Sequence, residues 1–86
     1  MPRYLVELYF PRSRAAGVRR VTARIRGAAS RMAEEGSAVR CLHSVFVPGD
    51  ETLFELFDGP SAEVVAAVHQ RCGLTPDRIV EALLTT

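Results

Sequence analysis

The chain predicts an α+β domain in which strands and helices follow one another as βαββαβ. Three observations carry this reading. Runs of strand-forming residues bounded by turn chemistry occur at Tyr4–Phe10, Val39–Val47 and Thr52–Phe57. Two segments between and after them repeat apolar residues every three or four positions, the period of an amphipathic helix. A last apolar run at Arg78–Leu84 is long enough for a fourth strand.

Each element has its own signals. "YLVELYF" is closed by Pro11, which cannot donate to a sheet ladder. From Val18 the pattern changes period: Val18, Val21, Ile25, Ala28 or Ala29 and Met32 form one helical stripe, flanked by arginines and stopped at Gly36. "VRCLHSVFV" and "TLFELF" are strands joined by a turn at Pro48-Gly49-Asp50, hairpin chemistry. The second helix takes Ser61 as its N-cap and Glu63 in its first turn, with Val64 or Val65, Val68 and Cys72 facing inward, and ends at Gly73. "RIVEALL" completes the set, with the facing of Glu81 left open because both of its alternations are apolar.

This order is the ferredoxin-like arrangement: one four-stranded antiparallel sheet, first and third strands central, two helices on one face. At 86 residues the chain is one domain, 1–86, without linker or repeat. Its 48% apolar content is that of a folded protein. No apolar run approaches the ~20 residues of a membrane span. Strand-like sequence begins at Tyr4, leaving no room for a signal peptide, so a cytoplasmic protein is expected. Cys41 and Cys72 match no metal or redox spacing.

The net charge is only +1, but the charges are unevenly placed. All eleven basic residues are arginine, and Arg12, Arg14, Arg19, Arg20, Arg24, Arg26 and Arg31 fall in a stretch from Phe10 to Ala33 that holds no acid. Such a stripe suits a nucleic-acid partner. The strands, however, lack the solvent-facing aromatics that stack on bases, which disfavours that class.

Strand alternation divides the sheet into two faces. One set, with Tyr4, Val6, Leu8, Phe10, Leu42, Ser44, Phe46, Phe54 and Leu56, is expected against the helices. The other holds Leu5, Glu7, Tyr9, Cys41, His43, Val45, Val47, Leu53, Glu55 and Phe57. It is too apolar to stay in water, so a homodimer closing over this open face is expected. With a three-residue turn, Val47 pairs with Glu51 and His43 falls opposite Glu55, with Glu7 beside them on the neighbouring strand.

A row of Glu7, Glu55 and His43 suits two chemistries. Imidazole and carboxylate bind divalent transition metals, with His43 and Glu55 as primary ligands and Glu7 a ligand or orienting partner. Alternatively His43 or Glu55 acts as general base without a cofactor, as a cyclase or isomerase on an apolar small molecule in a pocket shaped by Tyr9, Cys41, Val45, Leu53 and Phe57. An ion pair of His43 with Glu55 is the purely structural alternative. A non-catalytic interaction module, with Arg20, Arg24 and Arg31 as its contacts, is a further reading. His69 is expected at the surface and Cys72 in the core; Cys41 is a soft candidate ligand.

"YLVELYFP", "LHS", "LFELFDGPS" and "GLTPDRIVE", in this order across nearly the whole chain, together resemble a small nickel-binding ferredoxin-like family, the domain of unknown function DUF4242. The resemblance implies this fold, dimerisation and, in at least one branch, nickel. Glu7 matches the family's early strand glutamate and His43 its His-Ser-Tyr histidine. Asp77, Arg78 and Ile79 match the Asp-Arg-Ile before the last strand. Val45 stands where the family has tyrosine, Glu55 where it often has cysteine, Phe57 where it has tyrosine, Cys41 where an aromatic is common, and Leu8 where many members have arginine. These replacements remove a thiolate and a phenol from the open face.

Overall fold

A computed structural model describes residues 1–85 of the chain. The elements run β1 (Arg3–Tyr9), a 3-10 segment (Arg12–Gly17), α1 (Val18–Glu34), β2 (Arg40–Val47), β3 (Thr52–Asp58), α2 (Ala62–Arg71) and β4 (Arg78–Ala82). The strands form one antiparallel sheet in the order β2-β3-β1-β4, the expected ferredoxin-like topology. No described helix is long and apolar enough to cross a membrane.

Both helices begin and end as the sequence chemistry dictates. Val18, Val21, Ile25, Ala28, Ala29 and Met32 of α1 meet the core, the last four of them buried. The Ser61 hydroxyl oxygen accepts the Val64 N–H at 3.2 Å, capping α2. Gly36 and Gly73 take φ of +106° and +71° after the two helices, values that tax any residue with a Cβ. The core lies between sheet and helices, built on Val6, Leu8, Phe10, Leu53 and Phe57 from the sheet side and Ile25, Val65 and Val68 from the helices.

Two local departures from simple alternation decide what faces where. The first is in the hairpin. Its loop has four residues, Pro48 to Glu51, because Glu51 closes the turn in the left-handed region at φ +47° instead of entering the strand. The conformation is held from three sides. Glu51 N donates to Pro48 O at 3.0 Å, Glu51 O accepts Phe10 N at 2.8 Å, and the Glu51 carboxylate accepts Arg12 N at 2.9 Å. Val47 therefore pairs with Thr52, not with Glu51. A slip of one residue turns every side chain of a strand to the other face. Leu53, Glu55 and Phe57 accordingly lie buried under the helices, and Phe54 and Leu56 face outward, the reverse of the expectation.

The second departure is a bulge in β2. Cys41 pairs with Phe57 and His43 with Leu56, so Leu42 is an extra residue between them. Cys41 thus shares the helix face with Phe57, while His43 shares the outer face with Leu56. The bulge carbonyl of Cys41 accepts Arg26 Nη1 at 3.1 Å, which satisfies a group the distorted ladder leaves over. On β4, Glu81 pairs with Tyr4, which settles its facing toward the helix side; Val80 pairs with Leu5 and Arg78 with Glu7 on the outer face.

A candidate ligand-binding face

The outer face reads in rows across the four strands in sheet order. Arg40, Asp58, Arg3 and Ala82 form the first; His43, Leu56, Leu5 and Val80 the second; Val45, Phe54, Glu7 and Arg78 the third; Val47, Thr52 and Tyr9 the last. In the middle, Leu5, Phe54, Leu56 and Val80 are half-buried, and Tyr9 and Val45 are 58% and 57% exposed. An aqueous sheet face normally alternates to polar residues. This one holds an apolar field bordered by Arg40, Asp58 and Arg3 at one end and by Glu7 and Arg78 on β1 and β4.

The charges on it are mostly spoken for. Glu7 accepts a 3.1 Å hydrogen bond from Arg78. Asp58 takes Arg3 at 2.9 Å and Arg40 at 3.2 Å. Burial acts to raise the Asp58 carboxyl, but the hydrogen bonds from Arg3 and Arg40 outweigh it and hold the group below its ordinary value. His43 is exposed, faces Leu56, and makes no ion pair or side-chain hydrogen bond with a described residue. With the exposed Tyr9 phenol, its imidazole is left free for another molecule.

The expected site residues do not converge. Glu55 belongs to the helix face, where it is 1% exposed, and its Oε1 lies 2.7 Å from His69 Nε2. The pairing expected for His43 is thus made by His69, a fully buried residue of α2 and not a surface one. His69 Nδ1 lies 2.8 Å from the Val65 carbonyl, which only accepts, so Nδ1 carries the hydrogen and Nε2 meets Glu55. Glu55 Oε2 is buried without a hydrogen-bond partner. The Phe57 ring stands 5.4 Å from the imidazole, centroid to centroid. The signal available in the sequence was spacing: His69 follows Val65 by four and Val68 by one, on the inward stripe of α2.

His43 and Glu7 share the outer face but stand on β2 and β1, with β3 between them and one row apart, about 12 Å from two strand spacings across and two residues along. Glu7 is also paired with Arg78. The set His43, Glu55 and Glu7 therefore does not fit a divalent metal within one chain, and among the described residues no three His, Cys, Asp or Glu side chains gather into a metal-holding group. The same geometry separates His43 from Glu55 as a catalytic pair. Of the expected pocket, Tyr9 and Val45 remain on the open face, whereas Cys41, Leu53 and Phe57 are core residues. Burial pushes the Cys41 thiol above its ordinary value, so it is a packed thiol and not a ready thiolate.

No family model and no curated protein matches the chain. Among solved structures it is similar to the one described as the crystal structure analysis of SCO4226 from Streptomyces coelicolor A3(2). The two share 24% identity over 98% of this chain and 99% of that one, with a TM-score of 0.75. That likeness extends end to end and confirms the fold.

Proposed function

We propose that the chain works as a homodimer whose open sheet faces enclose an apolar small molecule, with His43 the hydrogen-bonding or proton-transferring group on its wall. The observation that carries this reading is the outer sheet face, an apolar field of Leu5, Phe54, Leu56, Val45, Val80 and Tyr9 with one uncommitted imidazole beside it. Apolar surface of this extent seeks cover. A second copy supplies it symmetrically, since the same patch serves both subunits of a two-fold pair. Where two twisted sheets meet, space between them is lined by these apolar side chains, and a neutral imidazole offers it one donor and one acceptor.

The test is sedimentation equilibrium combined with titration of the neutral dye Nile red. The expected result is a dimer that binds dye in fixed proportion, and a Phe54→Asp variant that is monomeric and dye-free while its far-ultraviolet circular dichroism is unchanged. A His43→Ala variant should stay dimeric and still take up dye. A wild-type monomer that leaves the dye in water would sink the proposal. Nickel is titrated in parallel: stoichiometric uptake lost in His43→Ala would mean that donors from two copies converge, and would replace the apolar-ligand reading with a metal site.

A further inference from the structure

The helical side of the molecule carries a feature that the open sheet face does not use. A groove of about 430 Å³ runs between α1 and α2, walled by Arg20, Arg24, Arg31 and Arg71, with Gly27 among its lining residues. Arg20, Arg24, Gly27 and Arg31 follow one another at steps of four, three and four, a single stripe along α1. Arg20 and Arg24, four apart, repel one another unless an anion answers them. The stretch from Phe10 to Ala33 supplies none, and Glu35, which pairs with Arg71 and lies within the field of Arg31, answers the groove at one end only.

Two of these arginines are committed. Arg24 Nη2 donates to the Cys72 carbonyl at 3.0 Å, and Arg71 pairs with Glu35 in a two-pronged bond. Arg20 and Arg31 are exposed and form no ion pair with a described residue. Arg31 lies back over Gly27: a Cβ placed there would stand 3.4 Å from Arg31 Nη1, an ordinary van der Waals contact.

The geometry points to an acidic peptide segment of a partner protein, a short extended run of aspartate or glutamate, as the occupant of this groove. A guanidinium binds a carboxylate through two parallel hydrogen bonds, which the free forks of Arg20 and Arg31 can each supply. Arg20 and Arg31 are separated by about 16 Å along the helix axis, the reach of about five extended residues. A single-stranded nucleic acid would want aromatic rings to stack on, and no aromatic residue lines the groove. The groove lies across the molecule from the open sheet face, so a dimer closed over that face presents two such grooves outward.

The experiment is fluorescence anisotropy of a labelled decaglutamate peptide against the full chain, at ionic strengths of about 0.01 M and about 0.15 M. Wild type is expected to bind, more weakly at the higher salt, and the double variant Arg20→Glu/Arg31→Glu to lose at least about tenfold in affinity. Arg19→Glu, on another side of the same helix, should change it by less than about threefold, and circular dichroism confirms that each variant is folded. Absence of binding by wild type overturns the proposal. So does an equal loss in Arg19→Glu, which would mean diffuse charge attraction. A DNA duplex of matched charge that binds more tightly and depends on the same two arginines would make the groove a nucleic-acid site instead.

Discussion

At the scale of single residues, the pair Glu55 and His69 is the most consequential arrangement in the core. Two ionisable side chains, 1% and 0% exposed, share one short contact, and one carboxylate oxygen is left without a partner. Removing one member leaves the other stranded in an apolar interior, which costs about 3–5 kcal/mol. Glu55→Ala and His69→Ala are each expected to fall in that range by urea denaturation. Glu55→Gln should cost less than about 1.5 kcal/mol, because the amide N–H can donate to His69 Nε2 while the ring keeps its bond to Val65. A Gln variant as damaged as the Ala variant would show that a charge on Glu55 is needed. Asp58 gives the pH-dependent counterpart. Its folded value is depressed, so the stability it contributes with Arg3 and Arg40 is full above the unfolded carboxylate value, about 3.9, and fades as pH falls through the folded one. Wild type and Asp58→Asn should therefore differ in denaturation midpoint at pH 6 and converge near pH 2; a gap that persists in acid would assign the effect to packing.

At the scale of elements, the strands and helices were legible and their faces only partly so, for a physical reason. Element type follows from periodicity over seven or more residues, which survives small errors, and β1 and both helices face as their patterns require. Facing in β2 and β3 hangs on single residues. One residue in the hairpin loop, Glu51, and one in the bulge, Leu42, reversed Glu55 and Cys41 together with their neighbours. "TLFELF" is apolar on both alternations apart from its glutamate, so the pattern itself offered no veto. Alternation with a three-residue turn puts Glu55 on the open face, and its buried partner His69 sits on a helix whose inward stripe was read without it. The loop conformation is itself testable. A non-glycine residue in the left-handed region is strained by about 1 kcal/mol, which Glu51→Gly would relieve; but that change also deletes the carboxylate that accepts the Arg12 N–H. The two effects oppose, so Glu51→Gly is expected within about 1 kcal/mol of wild type, and Glu51→Val, strained and without the acceptor, clearly below it.

At the scale of the whole molecule, a small domain has one layer of helices and one sheet to build a core from, and the second sheet face is left over. With 86 residues the share of surface the chain can bury alone is limited. The outer face, with Tyr9 and Val45 more than half exposed and Phe54 and Leu56 half-buried, is where further burial is available. If dimerisation draws on it, folding and association are one equilibrium, and thermal stability must depend on protein concentration. The expected observation is a melting temperature that rises over a hundredfold increase in wild-type concentration, and a Phe54→Asp variant that melts lower and at a temperature independent of concentration. The variant places its charge on the solvent side of β3, opposite Val45 and Glu7, and leaves the buried row of Leu53, Glu55 and Phe57 untouched. Because the new carboxylate also faces Glu7 across the strand pair, a like-charge cost within one chain, it is the lost concentration dependence, and not the lower melting temperature alone, that reports the interface. A wild-type melting temperature that ignores concentration would mean that the apolar face is covered by something other than a second copy, and would turn the search toward its ligand.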